Sequence, residues 1–180
     1  AGIHARFLER LAERASRLVL GDGRVQGTDV GPLIHGGSLE NVERYVEVGR
    51  GEGASLVLGG TRPTTEATAH GHFFAPTIFA GVRPGMRIEQ EEIFGPVLSV
   101  IEVADADEAF RVNNGVKYGL SSSLYTANVN LAFRALNELD NGITYVNAPT
   151  IGAEAHLPFG GVKQTGNGHR EGGWEVYEFY

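Results

Sequence analysis

Apolar residues recur at helical spacing twice in the first 50 residues, on either side of a loop over residues 21–37. The first repeat predicts an N-terminal helix that ends at the glycines in 21–23, with an apolar face of Ile3, Phe7, Leu8, Leu11, Ala15 and Leu18. The second predicts a helix that Ser38 caps and that ends in the glycine-rich stretch 49–53. Its apolar face comprises Leu39, Val42, Tyr45 and Val46.

Two short apolar runs after the second helix predict extended structure. Residues 55–58 (SLVL) are interpreted as a short buried strand. Residues 73–79 (FFAPTIF) predict an extended segment, in which Pro76 indicates an edge or a bend because proline cannot donate to a sheet. The intervening residues 59–72, rich in glycine, threonine and histidine, predict an exposed loop.

Strand and helix signals alternate in the second half of the chain. Strands are predicted at residues 97–103, 121–126 and 143–146, and helices at 105–113, 131–139 and around Trp174 and Tyr177. Asp105 and Glu108 have the spacing of a capping box. This alternation favours an α/β fold with a mostly parallel sheet and helices on both faces. The length of 180 residues favours a single domain over residues 1–180.

Charge and residue types exclude several classes of function. The formal net charge of -7 argues against nucleic acid or an anionic membrane as the main partner, since both bind clustered Lys and Arg. The absence of cysteine excludes disulfides, thiolate metal sites and a thiol nucleophile within these residues. No apolar run approaches the ~18 residues that span a bilayer, and the first residues lack the apolar stretch of a secretory signal. A cytoplasmic location is therefore predicted.

Three local patterns resemble ligand sites but have plainer interpretations. Residues 21–23 (GDG) and 49–53 (GRGEG) follow predicted helices, whereas a dinucleotide-binding glycine loop follows a strand and opens a helix. His70 and His72 have no acidic or cysteine partner nearby, so solvated histidines are favoured over metal ligands. No metal site is predicted.

Residues 91–100 (EEIFGPVLSV) resemble the EEIFGPV signature of the aldehyde dehydrogenase superfamily. In that family the second Glu of the motif accepts hydrogen bonds from the ribose hydroxyls on the nicotinamide side, and the Phe packs near the nicotinamide ring. The resemblance therefore implies that Glu92 and Phe94 bind the cofactor. A carboxylate suits this role, because its two oxygens can hold a vicinal diol. Alone, the motif would equally fit a solvated Glu and a core Phe.

Further segments resemble the same family, in the same order along the chain. They are residues 28–34 (TDVGPLI), 71–79, 83–90 (RPGMRIEQ), 113–126 (NNGVKYGLSSSLYT), 142–150 (GITYVNAPT) and 157–171 (LPFGGVKQTGNGHRE). The resemblance covers nearly the whole chain and is to the larger part of the family's catalytic domain. Thr165 replaces the usual Ser and His169 is an extra residue, which indicates a subfamily.

The resemblance implies NAD(P)-dependent oxidation of an aldehyde to a carboxylic acid. In the family a Cys thiolate attacks the aldehyde, hydride passes to the nicotinamide, and a Glu general base activates the water that hydrolyses the thioester. That nucleophile, the general base and the cofactor domain lie upstream of the part that this chain resembles. We therefore expect no catalytic residue here, an inactive isolated chain, and NAD as the cofactor, with NADP as the alternative.

The loop after the predicted strand 143–146 is the expected substrate side. In family members with a similar loop, two amides at a Gly-Ala pair hold a substrate carboxylate, which implies this role for Gly152 and Ala153, with Phe159 nearby. Consecutive amides make such an anion-binding nest, although a plain turn at Gly152 is the alternative. The loop most resembles the aminoadipate-semialdehyde (antiquitin-like) branch, and the pyrroline-5-carboxylate dehydrogenases second. Both oxidise amino-acid semialdehydes; a general aldehyde dehydrogenase is the third alternative.

The expected partners are a small-molecule aldehyde, the rest of the same polypeptide and further copies of it, because members of this family are dimers or tetramers. Two other interpretations stay open. The chain could be a truncated, non-catalytic module with a role in assembly or nucleotide binding, or a plain α/β domain whose motifs are coincidental. A cysteine-containing segment and a cofactor domain before Ala1 would favour the enzyme, whereas a start codon near Ala1 would favour the module.

Overall fold

A computed structural model of the chain describes residues 2–152 and 154–179, and the chain divides into two units, Ala1–Glu102 and Val103–Tyr180. The elements of the first unit are α1 (His4–Ala15), α2 (Gly36–Gly51), β1 (Ser55–Leu58), a 3-10 turn (Glu66–Thr68), β2 (Thr77–Ala80), α3 (Arg87–Gln90) and β3 (Val97–Ser99). Those of the second are α4 (Ala106–Asn114), β4 (Tyr118–Gly119), β5 (Ser121–Leu124), α5 (Val129–Glu138), β6 (Ile143–Val146), β7 (Val162–Lys163) and α6 (Val176–Phe179).

The mixture of helices and strands confirms the predicted α/β class, but the strand pairing is mixed. In the first unit the sheet order is β1-β2-β3, with β2 antiparallel to β1 and parallel to β3. In the second unit β5 and β6 are parallel, whereas β4 and β7 are antiparallel. The predicted parallel pairing therefore holds for two of the strand pairs described.

The core of the first unit forms where α2 packs on the sheet. The four residues of the predicted apolar face of α2 are all buried, and they join a cluster that includes Phe74, Phe79, Val82, Met86, Ile88 and Ile93. Gly49 lets α2 approach closely, because a Cβ atom built on it would lie 3.1 Å from both Ile88 Cδ1 and Phe79 Cζ. Burial of this apolar surface is what fixes α2 against β2 and α3.

The structure corrects several predictions in the first unit. His35, not Ser38, caps α2, and its Nδ1 accepts a hydrogen bond of 3.0 Å from the Ser38 amide. Residues 55–58 form an exposed edge strand, with Val57 40 % exposed, whereas β2 is central and fully buried. Pro76 precedes β2 by one residue, so its missing N–H removes no ladder hydrogen bond.

Helix α1 forms at the predicted place, but none of its residues is buried. Ile3 and Phe7, on its predicted apolar face, are 66 % and 53 % exposed. Periodicity thus predicted the helix correctly, but the described residues cover its apolar face only in part, since Leu8, Leu11 and Ala15 are half-buried.

Side-chain caps start both longer helices of the second unit. Asp105 accepts a hydrogen bond of 2.9 Å from the Glu108 amide, which confirms the predicted start of α4. Asn128 accepts hydrogen bonds from the amides of Asn130 and Leu131, so α5 begins two residues before the predicted position. Phe110 and Ala135 are the buried apolar residues of these helices, and strands β5 and β6 are half-buried.

Candidate functional site

The segment 91–95 forms one wall of a groove in the first unit, between α3 and β3. The groove has a volume of about 370 Å³ and is lined by Ile88, Glu89, Glu91, Glu92, Ile93, Phe94, Gly95, Val97, Ser99 and Ile101. Glu92 and Phe94, the residues expected to bind a cofactor, therefore lie on one groove. Both are exposed. Phe94 is 78 % exposed and so does not match the alternative of a core Phe, whereas an exposed Glu92 fits either interpretation.

Alternate residues of this segment are held by the protein. The Glu91 carboxylate accepts a hydrogen bond of 2.6 Å from the Tyr45 hydroxyl, the Ile93 side chain is buried in the core, and Gly95 lies against Val42. The residues between them, at positions 92 and 94, are exposed. This alternation is one of contact and exposure rather than of a regular strand, because Phe94 has a left-handed φ of 57°. The segment is thus anchored on one side and available to a ligand on the other.

Of the three carboxylates that line the groove, Glu91 is paired with an arginine and Glu92 is exposed. Arg87 donates from Nε and Nη2 to the two oxygens of Glu91, at 3.1 and 3.0 Å, and these hydrogen bonds raise the pKa of the guanidinium above its ordinary value. The Glu92 carboxylate makes no hydrogen bond or ion pair with any residue that the structure describes. Its two oxygens can therefore accept hydrogen bonds from a ligand hydroxyl pair.

Left-handed backbone marks three non-glycine residues of the described chain. Phe94, Asn147 and Lys163 have φ angles of 57°, 56° and 54°, and each lies in a segment that carries the family resemblance. Such conformations cost about 1–3 kcal/mol and persist where the surroundings fix them, often at ligand sites. For Asn147 the fixing contacts are hydrogen bonds of 2.8 and 2.9 Å between its side-chain amide and the backbone of Thr126.

Gly152 belongs to the second unit and is exposed. Its carbonyl oxygen accepts a hydrogen bond from the Tyr145 hydroxyl. A Cβ atom built on Gly152 would have no atom within 4 Å, and its φ is not in the left-handed region, so neither space nor conformation requires glycine there. Ala153, expected beside it, lies outside the described residues.

Phe159 is half-buried and lines a cavity whose lining residues do not include Gly152. The cavity has a volume of about 200 Å³ and is also lined by Leu120, Thr165 and Asn167. The backbone of Phe159 exchanges hydrogen bonds of 2.5 and 2.7 Å with the backbone of Glu171. The Thr165 hydroxyl accepts a hydrogen bond of 2.8 Å from the Gly119 amide. Thr165, which replaces the usual Ser of the family, therefore holds the backbone of β4 in place through this hydrogen bond.

Two supporting residues were not predicted from the sequence. Asn41 donates from Nδ2 to the Ile93 carbonyl at 3.0 Å, and the Tyr45 hydroxyl bonds to Glu91, so α2 contacts segment 91–95 at two places. Helical spacing identified Tyr45 only as a core residue. No local signal could reveal either partner, because the bonds join residues 52 and 46 positions apart.

Among the residues that the structure describes, none of the helices is long and apolar enough to cross a membrane. Within the same residues, no three His, Cys, Asp or Glu side chains gather as metal ligands would.

Comparison with known proteins agrees with the resemblance in the sequence. The model of the aldehyde dehydrogenase family matches residues 1–180, and the chain belongs to this family. It is 38 % identical over 180 residues to an alpha-ketoglutaric semialdehyde dehydrogenase of Bacillus subtilis (strain 168), covering 100 % of this chain and 37 % of that protein. It is 43 % identical over 175 residues to an alpha-ketoglutarate semialdehyde dehydrogenase of Haloferax volcanii, covering 97 % and 36 %.

Solved structures of similar proteins share the fold. A betaine aldehyde dehydrogenase of Staphylococcus aureus in complex with NAD+ superposes with a TM-score of 0.95 at 35 % identity, covering 99 % of this chain and 35 % of that one. The protein HpcC of Thermus thermophilus gives a TM-score of 0.93 at 42 % identity, with the same coverage. The chain thus spans little more than a third of the length of these relatives.

Proposed function

We propose that this chain is part of an enzyme that oxidises an aldehyde to a carboxylic acid with NAD as the hydride acceptor. The observation that carries the proposal is the groove on which Glu92 and Phe94 are exposed while their neighbours are anchored. Membership of the aldehyde dehydrogenase family and the NAD+ complex of a similar enzyme support it.

Glu92 and Phe94 have the chemistry to hold the nicotinamide end of the cofactor. The Glu92 carboxylate would accept hydrogen bonds from the two ribose hydroxyls. The exposed Phe94 ring offers an apolar face on which the nicotinamide can pack. NAD, when bound, supplies the acceptor for the hydride that leaves the aldehyde carbon. NADP is the alternative, because these two residues are expected to contact only the nicotinamide side.

For the substrate we propose a semialdehyde with a carboxylate at its far end, such as an amino-acid semialdehyde. The backbone amides of Gly152 and Ala153 would bind this carboxylate, and Phe159 would pack on the carbon chain. The free space around the Gly152 Cα supports the first role, since a ligand can approach the backbone closely there. Two relatives are named as semialdehyde dehydrogenases, which supports the substrate class.

The nucleophile must then be a cysteine outside these 180 residues, which contain none. A structure of the Staphylococcus aureus enzyme with a BME-modified cysteine is consistent with a reactive thiol in that protein. We expect the isolated 180 residues to be inactive. The complete polypeptide that contains them is expected to be active.

The test compares NAD+ reduction by the complete polypeptide and by the 180 residues alone. Substrates are an amino-acid semialdehyde, alpha-ketoglutaric semialdehyde and betaine aldehyde. Activity of the complete polypeptide alone, highest with a carboxylate-bearing semialdehyde, is the expected result. If the complete polypeptide oxidises none of these aldehydes, a non-catalytic role is favoured instead. Preference for betaine aldehyde would refute the carboxylate site but not the oxidation.

Variants separate the two halves of the site. Glu92→Gln should raise KM for NAD+ about tenfold, as expected when a charged acceptor is lost, and leave KM for the aldehyde unchanged. Glu66→Gln, which removes the same charge from another exposed position of the first unit, is the control. Gly152→Ala should raise KM for the semialdehyde but not for betaine aldehyde, without loss of stability, because the added methyl group meets no described atom.

The complete protein is also proposed to form homo-oligomers. Support comes from large apolar side chains that are exposed in the described chain, including Phe7, Phe133 and Trp174 at 53 %, 62 % and 83 %. Large exposed apolar side chains often belong to surfaces that a partner covers. Sedimentation velocity of the complete protein should therefore give a mass of two or more protomers, and a monomer at all concentrations would contradict the proposal.

A further inference from the structure

We propose that Asn41 and Tyr45 are positioning residues for the cofactor: from one face of α2 they fix the segment that presents Glu92 and Phe94. This inference rests on the proposed function, because it assumes that those two side chains contact NAD. It assigns to α2 a role in affinity for the dinucleotide, beyond the packing of its apolar face.

The spacing of the two contacts matches the helix to the segment. Asn41 and Tyr45 are four residues apart, so they lie on the same face of α2 and are separated by a rise of about 6 Å. Their partners, Ile93 and Glu91, are two residues apart, which is about 6.6 Å in extended chain. The helix can therefore hold both residues at once, with the segment running antiparallel to it.

The Glu91 carboxylate is fixed through both of its oxygens. Tyr45 and Arg87 donate to it, and the Arg87 guanidinium also lies 5.8 Å from the centre of the Tyr45 ring. Tyr45 itself is only 6 % exposed. A buried hydroxyl with a charged acceptor forms one of the stronger hydrogen bonds in a protein, so this end of the segment has little freedom.

The Asn41 amide is oriented by a second bond. Arg44 Nη2 donates to Asn41 Oδ1 at 2.7 Å, which leaves Nδ2 directed at the Ile93 carbonyl. Gly95, two residues after Ile93, packs directly against the Val42 side chain, so the segment cannot move closer to α2 there. The carbonyl of Ile93 begins the peptide unit that joins it to Phe94, so fixing this carbonyl restricts the φ angle of Phe94.

Restricting Phe94 matters because its φ of 57° is a conformation that phenylalanine rarely adopts. If α2 released the segment, Phe94 would populate ordinary backbone conformations and spend less time where it can meet the ring of the cofactor. Apparent affinity falls in proportion to the fraction of molecules in the binding conformation. The expected signature is weaker NAD+ binding with unchanged binding of the aldehyde.

The test measures KM for NAD+, KM for the aldehyde and kcat in the complete polypeptide. Asn41→Asp keeps the shape and the bond from Arg44 but loses the donor to Ile93, and Tyr45→Phe keeps the ring but loses the hydroxyl. Each should raise KM for NAD+ about three- to tenfold, the loss expected for one hydrogen bond, with kcat and KM for the aldehyde within twofold of wild type. The matched control is Arg62→Met, which breaks the bidentate pair of Arg62 with Glu43, also on α2.

Three outcomes would overturn the proposal in different ways. An equal rise of KM for NAD+ in Arg62→Met would mean that any loosening of α2 has this effect. A normal KM in Asn41→Asp and Tyr45→Phe, with a raised KM in Glu92→Gln, would refute positioning and leave the proposed cofactor contact intact. A normal KM in Glu92→Gln would refute the cofactor contact itself.

Discussion

Gly95 lies so close to Val42 that a Cβ atom built on Gly95 would overlap Val42 Cγ2. Val42 is fully buried in the core of the first unit and cannot move aside without disturbing α2. Packing therefore requires glycine at position 95, because any side chain there would push segment 91–95 away from α2.

Gly95→Ala is expected to lower the free energy of unfolding by about 1–3 kcal/mol, the usual cost of overpacking a core. Urea denaturation followed by circular dichroism measures the change. The control is Gly51→Ala in the last turn of α2, where an added Cβ meets nothing within 4 Å and alanine favours the helix. A loss of stability in the control as large as in Gly95→Ala would contradict the packing argument.

Lys163 holds the C-terminal end of α4. Its Nζ donates to the carbonyls of Asn114 and Val116 at 3.0 and 3.1 Å and lies 3.2 Å from Asp140 Oδ2. The side chain is 19 % exposed, so Lys163→Met should leave these oxygens poorly hydrated and cost about 1–3 kcal/mol of stability.

The other lysine of the chain provides the comparison. Lys117 is exposed and lies 5.1 Å above the Tyr118 ring, so Lys117→Met should cost no more than about 1 kcal/mol. In thermal unfolding, the Tm of Lys163→Met should be well below the Tm of Lys117→Met. The reverse order would mean that the contacts of Lys163 add nothing to stability.

The cap of α5 should be worth a measurable amount of stability. Asn128 accepts hydrogen bonds from two amides of the first turn, so Asn128→Ala is expected to cost about 0.5–2 kcal/mol. Asn130→Ala, two residues further into the helix, should be neutral or slightly stabilising because alanine is the better helix former. Chemical denaturation of the pair separates the capping bond from helix propensity, and equal losses would contradict the role of the cap.

The ion pair between Glu43 and Arg62 predicts a dependence of stability on pH. Hydrogen bonds from Arg62 hold the pKa of Glu43 below its ordinary value of 4.5 in the folded chain. A carboxyl group with a lowered pKa stabilises the fold above its ordinary pKa, and this contribution is lost as the pH falls through the folded value. Arg62→Met should therefore be less stable than the wild type at pH 7, and the difference should shrink below pH 4.5.

The control for the pH dependence is Glu43→Gln, which removes the carboxyl group that titrates. In a Glu43→Gln background, the effect of Arg62→Met should be small and depend only weakly on pH, since the charge of Glu40 also acts on Arg62. Unfolding curves of the four proteins between pH 3 and pH 7 complete the cycle. A pH-dependent difference that survives Glu43→Gln would assign the titration to another group.

Local patterns in the sequence determined the helices, the position of the motif and the family. The apolar face of α2 was predicted residue by residue and is buried, because a period of 3.6 residues is a property of the chain itself. The Asp105 cap and the strand 143–146 were correct for the same reason, since they depend on neighbours within a few residues. The family followed from several motifs in order, which comparison with known proteins confirmed.

Only the tertiary structure decided what these elements contact. Residues 55–58 were correctly predicted as a strand, but their predicted burial was wrong, because the strands that pair with a short apolar run decide whether it is central or at an edge. The edge position that Pro76 indicated was wrong for the same reason, since β2 is the central strand. The choice of His35 over Ser38 as a cap depended on where the preceding loop enters α2.

The contacts that anchor segment 91–95 are the clearest example of a feature that could not be predicted from neighbouring residues in the sequence. The sequence indicated Glu92 and Phe94 by resemblance. Their exposure, and the hydrogen bonds of Asn41 and Tyr45 to the neighbouring residues 93 and 91, appear only when residues about 50 positions apart are brought together. Periodicity describes how a chain arranges itself over a few residues. The partner of a hydroxyl or an amide is set instead by the packing of the whole unit, because burial decides which polar groups must find each other.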